Sequence, residues 1–222
     1  MDIANNISEI KNTLPEGVKL VAVSKTKPVE DIMVAYRSGH KIFGENKVQD
    51  LVGKYEQLPK DIEWHFIGHL QSNKVKFVAP FISFLHGIDS MKLLKVVNKE
   101  AKKNDRVISC LLQFHIAEES TKFGFSIKEA YDLLSSEEIN SLQNVEIARV
   151  MGMATYTDYE SQIRKEFRGL KNIFNTLKNE YFSGVESFRE ISMGMSDDYL
   201  IAVDEGSTII RVGSKIFGTR NY

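Results

Sequence analysis

The chain of 222 residues carries a formal net charge of −1, with 42% hydrophobic and 27% charged residues. These are values of an ordinary globular protein, and the small net charge argues against a general electrostatic attraction to nucleic acid or to an anionic membrane. The single cysteine, Cys110, excludes an internal disulfide and a cysteine-built zinc site, and its apolar neighbours predict a core position. The longest nearly apolar run, FVAPFISFL, is far below the ~18 residues of a membrane span, so we expect a soluble protein, and the single cysteine fits the reducing cytoplasm.

The predicted elements begin with a helix and continue as an alternation of strands and helices. Ile3, Ile7 and Ile10 have helical spacing. From Leu20 onward, short apolar stretches alternate with polar turns and helix-period segments, which is the pattern of βαβ units. Eight strands favour a single (β/α)8 TIM barrel domain over residues 1–222 with an extra N-terminal helix. The predicted strands are 20–24, 41–44, 63–68, 82–87, 106–115, 145–152, 188–194 and 208–213.

Three of the predicted helices carry clear signals. Pro28 precedes the first helix after a strand, and Ser126 with Glu129 predicts a capping box. Apolar residues at intervals of four and three from Ile163 to Tyr181 predict a long helix with a continuous apolar stripe. An open doubly wound sheet is the alternative architecture, but the stretch VAVSKTKP lacks the glycines of a phosphate loop after a first strand.

The first strand delivers a lysine to the barrel end where chemistry is usually built. Lys25 has the parity of Val21 and Val23, so it is expected to point into the barrel mouth. In continued extended geometry Lys27 would face the same side, and the two ammonium groups would disfavour each other's charge. A neutral lysine amine is the nucleophile that condenses with an aldehyde or ketone. Two solvated lysines on a loop are the alternative.

The segment after the seventh strand is suited to holding a phosphate. It reads ISMGMSDD, in which glycine allows close approach of the backbone and serines add hydroxyl donors. We expect Ser196 to be the N-cap of the following helix. Asp197 and Asp198 argue the other way, because they suit a helix start without an anion and must point away from a phosphate. The predicted phosphate contacts here are Ser192, Gly194 and Ser196.

The segment after the eighth strand, IIRVGSKIFG, adds an arginine and further donors. Arg211 has the parity of Ile209, so it should point into the barrel mouth. Gly213 and Ser214 are expected to open another short helix. Neither loop is specific alone, because Gly and Ser are common in turns. Together with Lys25, the two loops describe a receptor for a phosphorylated aldehyde with a ring, and pyridoxal 5'-phosphate (PLP) is such a ligand.

The sequence resembles the pyridoxal phosphate homeostasis proteins, which are similar to the barrel domain of alanine racemase. The matching stretches are VAVSKTKP, FGENKVQD, WHFIGHLQSNK, HGIDS, ISMGMSDD and GSTIIRVGSKIFGTRNY. The chain departs from the family at QFHIAEESTKFG and MGMAT, where relatives usually carry a QVN-type strand end, a GEE turn and GLMT.

The resemblance implies a role for each predicted site residue. Lys25 would form the aldimine with PLP, and Lys27 would be a helper or a secondary aldimine site. Arg211 would meet the pyridine nitrogen, with Asn46 beside the cofactor. The residues implied around the phosphate are Ser192, Gly194, Ser196, Gly213 and Ser214.

The resemblance also implies a carrier and regulator of intracellular PLP rather than an efficient enzyme. An arginine at the ring nitrogen leaves the pyridine unprotonated and makes the ring a weak electron sink. Alanine racemase supplies a second base, a tyrosine, from another domain, which we expect to be absent from a chain that stops eleven residues after Arg211. Tyr156 and Tyr222 are the candidate substitutes for it. A PLP-dependent racemase or lyase of low activity remains open, as does a class I aldolase that uses Lys25.

The expected partners are PLP and PLP-accepting apoenzymes, with no nucleic acid and no membrane, and a monomer is favoured. No metal site is predicted. His65 and His69 are four residues apart, which suits a metal only on a continuous helix, and the predicted strand 63–68 with Gly68 at its end breaks that geometry. His86 and His115 end predicted strands and could line the pocket, although a structural role is favoured for both. His40 is expected at a helix terminus.

Overall fold

The computed structural model describes residues 2–118 and 123–219 of the chain. Within these residues, eight parallel strands follow one another around a closed barrel. The last strand pairs with the first, with Val21 opposite Arg211. The predicted TIM barrel is therefore confirmed. The strands are β1 Lys19–Val23, β2 Ile42–Glu45, β3 Glu63–Phe66, β4 Phe84–Ile88, β5 Ile108–Phe114, β6 Val145–Gly152, β7 Glu190–Ser192 and β8 Ile209–Val212.

Helices connect the strands and surround the barrel. Among the described residues, none of them is long and apolar enough to cross a lipid bilayer. Two short 3₁₀ helices, Ser72–Lys74 and Glu137–Ser141, lie in the connections. The α-helices are α1 Ile3–Asn12, α2 Val29–Arg37, α3 Val48–Gln57, α4 Val75–Val78, α5 Met91–Lys103, α6 Ile127–Leu134, α7 Glu160–Glu180, α8 Tyr199–Asp204 and α9 Ser214–Phe217.

The helix signals in the sequence are confirmed. Helix α1 buries its three isoleucines, and α2 begins directly after Pro28, which occupies the N-cap position. At α6, the Ser126 hydroxyl accepts from the Glu129 amide while the Glu129 carboxylate accepts from the Ser126 amide. The stripe of α7 is buried from Ile163 through Leu177. Local chemistry therefore sets where these helices begin and which face packs inward.

The strand prediction is confirmed in number and order, with differences at the ends. Strand β6 has the predicted bounds, whereas β7 is much shorter than the predicted 188–194. Gly194 takes a φ of +92°, which ends the extended backbone soon after Ser192. The turn that shortens β7 also shapes the loop that follows it.

Alternating residues of each strand face either the barrel interior or the helices. A Cβ placed on Gly44 would meet the side chains of Val21 and Ile67, so these three positions share the interior. The neighbouring Glu45 bonds to Lys54 of α3 and therefore faces the helical layer. Cys110 is fully buried in the core, as predicted. This alternation decides which side chains can reach the mouth of the barrel.

His40 follows the end of α2, as the sequence predicts, and is only 3% exposed. Its Nε2 lies 2.8 Å from the carbonyl oxygen of Ile42, and its ring meets Phe43 edge-on. Burial, reinforced by the charge of Lys11, lowers the pKa of His40 to about 4. The folded protein therefore holds this imidazole neutral at pH values where the unfolded chain protonates it.

We predict that His40 makes the free energy of unfolding depend on pH. Because its folded pKa lies below its unfolded pKa of ~6.5, its contribution is complete above that pH and declines as the pH falls towards 4, by about 3 kcal/mol in total. Denaturant unfolding at pH 7 and pH 4.5 should show a smaller acid loss in His40→Gln than in the wild type. Equal losses in the two proteins would contradict this assignment.

Candidate functional site

A cleft of about 380 Å³ opens at the carboxyl ends of the strands, a size suited to a small ligand. Its wall comes from β1 and β8 and from the segments that follow β1, β2, β3, β6, β7 and β8. Backbone, charged and apolar groups are all represented. The lining residues are Val23, Lys25, Lys27, Asn46, Ile67, Gly68, Met153, Tyr156, Met195, Ser196, Asp197, Arg211, Gly213, Ser214 and Gly218.

The two lysines reach the cleft from a tight turn. Extended geometry does not continue past β1, because Thr26 has a φ of +66° and the Lys27 amide donates to the Ser24 carbonyl at 3.0 Å. The extended geometry that would place Lys27 on the same side as Lys25 is therefore not found, although both lysines line the cleft. The Lys27 ammonium donates to the backbone carbonyl of Thr219 at 3.0 Å.

A buried ion pair supports this turn from the helical side. The Lys54 ammonium donates to the Ser24 carbonyl at 2.8 Å and to Glu45 Oε1 at 2.6 Å, and the Ser24 hydroxyl donates to the same carboxylate oxygen at 2.6 Å. Glu45 is fully buried, and burial raises its pKa while Lys54 opposes the rise. We call Ser24, Glu45 and Lys54 the turn brace.

The loop after β7 is shaped by a glycine and tied to the loop after β8. A Cβ on Gly194 would lie 2.5 Å from the Cβ of Ala202, so this position has no room for a side chain. Ser196 is not the N-cap of α8, because that position is taken by Asp198, two residues further along the chain. The Ser196 hydroxyl instead accepts from the Gly213 amide at 3.2 Å and joins the two loops.

The two acidic residues of the loop after β7, Asp197 and Asp198, differ in their exposure to solvent. Asp198 is buried and turns back into its own loop, where its carboxylate accepts from the Met195 amide at 2.5 Å. Burial raises the pKa of Asp198, and the positive charge of Arg211 acts against that rise. Asp197 is exposed and lines the cleft.

Arg211 lines the cleft although it is only 4% exposed. Its Nη1 donates to the Ser192 hydroxyl, and its Nη2 donates to the Gly152 carbonyl at 3.2 Å. Burial lowers its pKa to about 10, with Asp198 acting in the opposite direction, so the guanidinium is charged at neutral pH. The arginine therefore presents fixed N–H donors to the cleft.

The structure brings seven of the nine predicted site residues to the cleft wall, namely Lys25, Lys27, Asn46, Ser196, Arg211, Gly213 and Ser214. Ser192 and Gly194 stand behind the wall. Ser192 is fully buried with its hydroxyl between Arg211 and His86, and the Gly194 carbonyl accepts from the Arg211 amide. His86 and His115 do not belong to the wall.

Sequence reasoning missed the apolar part of the wall, which includes Ile67, Met153 and Met195. Strand alternation could have predicted Ile67 as a cleft residue, because it follows β3 and has the same inward parity as Glu63 and His65. The two methionines lie in loops, where alternation gives no signal. Tyr156 lines the cleft with 86% of its surface exposed, whereas Tyr222 lies outside the described residues. Within the described residues, no group of three or more His, Cys, Asp or Glu side chains could hold a metal ion.

Comparison with known proteins decides the family. The family model described as alanine racemase, N-terminal domain, matches residues 1–221. The pyridoxal phosphate homeostasis protein of Vibrio alginolyticus is 39% identical over 214 residues, which are 94% of this chain and 89% of the relative. The chain belongs to the pyridoxal phosphate homeostasis protein family. The resemblance found in the sequence is thus confirmed.

Solved structures agree with this family assignment. PipY of Synechococcus elongatus PCC7942, 32% identical, has a TM-score of 0.91 without PLP and 0.88 with PLP bound, and each comparison covers 97% of this chain and 100% of PipY. Alanine racemase of Clostridium difficile 630 has a TM-score of 0.79 at 15% identity and covers 100% of this chain and 60% of the racemase. The racemase therefore shares the barrel fold.

We predict that the turn brace is essential for stability in this family member. Lys54→Met leaves the Glu45 carboxylate buried without its partner, and we expect a loss of about 3–5 kcal/mol in the free energy of unfolding at neutral pH. The double variant Glu45→Gln with Lys54→Met removes the uncompensated charge and should recover most of this loss. Denaturant unfolding measures both, and a double variant no more stable than Lys54→Met would refute the charge argument.

Proposed function

We propose that this protein binds PLP in the cleft through a covalent bond from Lys25 Nζ and serves as a carrier and regulator of intracellular PLP. The observation that carries the proposal is the meeting of Lys25, Arg211 and the loops after β7 and β8 around one cleft. Membership of the homeostasis family and the PLP-bound structure of PipY support it. We assign this role to a single domain of residues 1–222 that acts in the cytoplasm.

The residues of the cleft fit PLP in size and in chemistry. A phosphate would be held by donors of the β7 and β8 loops, where Ser196, Gly213 and Ser214 lie together. The apolar side chains of Ile67 and Met153 suit the faces of a planar ring. Asn46 lies on the same wall and would contact a polar substituent. When bound, PLP supplies an aldehyde carbon that reacts reversibly with amines and a ring that withdraws electrons.

Arg211 is the reason for proposing a carrier rather than an efficient catalyst. Its pKa of about 10 keeps it protonated at neutral pH, so it would donate a hydrogen bond to the ring nitrogen of bound PLP and would give that nitrogen no proton. A ring nitrogen without a proton withdraws electrons weakly, which disfavours carbanion chemistry on an amino acid. The proposed partners are PLP and the apoenzymes that accept it, and the proposed state is a monomer.

A racemase of low activity would need a second base across the cleft from Lys25. Tyr156 is the cleft residue with a suitable hydroxyl, and it is 86% exposed. A position this open to water does not shield the proton transfer that a racemase needs at a bound amino acid. The geometry therefore favours the carrier over the racemase.

We predict that Lys25 carries the cofactor and that Lys27 does not. Purified wild-type protein mixed with PLP should acquire a stable visible absorption band, and Lys25→Ala should lose it. Lys27→Ala is the matched control on the same turn and should keep the band, with affinity reduced by no more than about tenfold for the loss of one positive charge at the cleft wall. Borohydride reduction followed by peptide mapping should place the adduct at position 25.

An adduct at position 27 would overturn the assignment of Lys25 but not the binding of PLP. A wild-type protein that takes up no PLP would overturn the proposed function. A Schiff base with a sugar phosphate, formed and cleaved in the absence of PLP, would instead identify an aldolase.

We also predict that the PLP-loaded protein does not turn over amino acids faster than free PLP does. The reason is the weak electron withdrawal expected from a ring nitrogen facing Arg211. Chiral analysis of alanine and serine after long incubation checks this result. Racemisation that depends on the loaded protein and disappears in Tyr156→Phe would replace the carrier with the low-activity racemase.

A further inference from the structure

A chain of hydrogen bonds runs through the barrel interior behind Arg211. The Ser192 hydroxyl lies between Arg211 Nη1 and His86 Nδ1, the latter at 3.1 Å. His86 Nε2 lies 2.8 Å from His65 Nδ1, and His65 Nε2 lies 2.9 Å from Glu63 Oε1. Glu63 is the first residue of β3, so the chain extends from the cleft towards the opposite end of the barrel. We call these residues, from Glu63 to Arg211, the interior chain.

The two ends of the interior chain fix the direction of every hydrogen bond in it. A guanidinium can only donate, so Arg211 makes Ser192 Oγ an acceptor. At the other end, the hydrogen bond from His65 lowers the pKa of Glu63 against the effect of burial, so the carboxylate is ionised and can only accept. His65 must therefore carry its proton on Nε2.

The histidines in the middle then have one consistent protonation. Burial lowers the pKa of both His65 and His86, and both are neutral at pH 7. With its proton on Nε2, His65 accepts at Nδ1, so His86 also carries its proton on Nε2. His86 Nδ1 then accepts from the Ser192 hydroxyl, whose oxygen accepts from Arg211. Each donor of the interior chain has one acceptor.

The surroundings of the interior chain disfavour a second proton on either ring. Lys19 and Arg149 oppose a positive charge on His65, and Arg149 and Arg211 oppose one on His86. His65 is 1% exposed and His86 is fully buried, so solvent does not offset this effect. Glu63 alone favours a charged His65, and its side chain is 38% exposed.

We propose that His86, His65 and Glu63 are positioning residues for Arg211, which they hold through Ser192 in one orientation at the base of the cleft. The inference rests on the proposed function in one respect, since the group that Arg211 is positioned to meet is the PLP ring nitrogen. With Nη1 committed to Ser192 and Nη2 to Gly152, the plane of the guanidinium is fixed. Its remaining N–H groups are those that can face a ligand.

The opposite tautomer of His86 would disrupt this arrangement. A proton on His86 Nδ1 would make the ring a donor to Ser192, which would then receive two donors on its oxygen. The hydroxyl proton of Ser192 would lose its acceptor in a fully buried position. The interior chain therefore links the state of the histidines to the orientation of Arg211.

Nitrogen-15 NMR of the histidine rings tests the direction of the interior chain in the protein without PLP. At neutral pH we expect both His65 and His86 to be neutral with the proton on Nε2, with assignments from His65→Gln and His86→Gln. In Glu63→Ala the accepting end is lost, and we expect mixed tautomers at both rings. Glu146→Ala removes another partly buried carboxylate, bonded to Ser109, and should leave them unchanged.

A proton on Nδ1 of His86, or a doubly protonated His86, would overturn the proposal. If the tautomers of His65 and His86 are unchanged in Glu63→Ala, Glu63 is not a positioning residue. Because no PLP is present, this experiment is informative even if the protein proves not to bind PLP.

Binding of PLP tests the effect on Arg211. His86→Leu removes the acceptor for Ser192, and we expect about five- to tenfold weaker PLP binding together with a shift in the pH at which the bound-cofactor absorption changes. His86→Asn places an oxygen near the position of Nδ1 and should restore both values to within about twofold of the wild type. His40→Leu removes another buried histidine, away from the cleft, and should change neither.

Equal PLP binding and an equal pH profile in the wild type and His86→Leu would overturn the positioning role. The same would follow if His40→Leu matched His86→Leu, because the effect would then reflect general destabilisation. If His86→Leu does not fold, the comparison of His86→Asn with the wild type and the NMR result decide the proposal.

Discussion

The pairing of β1 with β8 is the contact on which the site depends. It places Val21 opposite Arg211, residues that are 190 positions apart in the chain. The turn after β1 and the loop after β8 therefore open at the same point of the barrel mouth. The approach is close, because a Cβ on Gly213 would lie 3.0 Å from the Val23 carbonyl oxygen. Barrel closure thus brings Lys25 together with Arg211 and the backbone of Gly213, although both lie far from Lys25 in sequence.

The site is held on both sides of the barrel wall by buried polar groups. On the helical side, Lys54 and Glu45 fix the carbonyl of Ser24 and with it the turn that carries Lys25. On the interior side, Ser192 fixes Arg211. Buried polar groups of this kind destabilise the fold when one partner is missing. When all partners are present, they favour one defined arrangement of the side chains. Their geometry explains why a site on flexible side chains can have a defined shape.

The sequence predicted the features that follow from patterns within a single strand or helix, and it missed those that depend on contacts between distant segments. The alternation of strands and helices predicted the barrel, and parity within strands correctly placed Arg211 at the mouth. Parity failed where the chain left the strand: Thr26 turns with a positive φ, and Ser196 bonds to Gly213 instead of capping α8. Both outcomes depend on contacts between loops that are distant in sequence. The interior chain was missed for the same reason, since its five members lie on four different strands.

A polar barrel interior also bears on the choice between carrier and catalyst. A barrel filled by aliphatic layers would leave Arg211 only the backbone carbonyl of Gly152 behind the cleft, and a buried guanidinium with too few acceptors would turn towards whatever oxygen the ligand offers. Here two acceptors, Ser192 and Gly152, hold it from behind whether or not a ligand is present. The donors facing the cleft are therefore set before binding, so a ligand is recognised without the cost of ordering the arginine. Such preorganisation would strengthen ground-state binding of the ring of PLP, and because it does nothing specific for a transition state, it supports the proposed carrier over a catalyst.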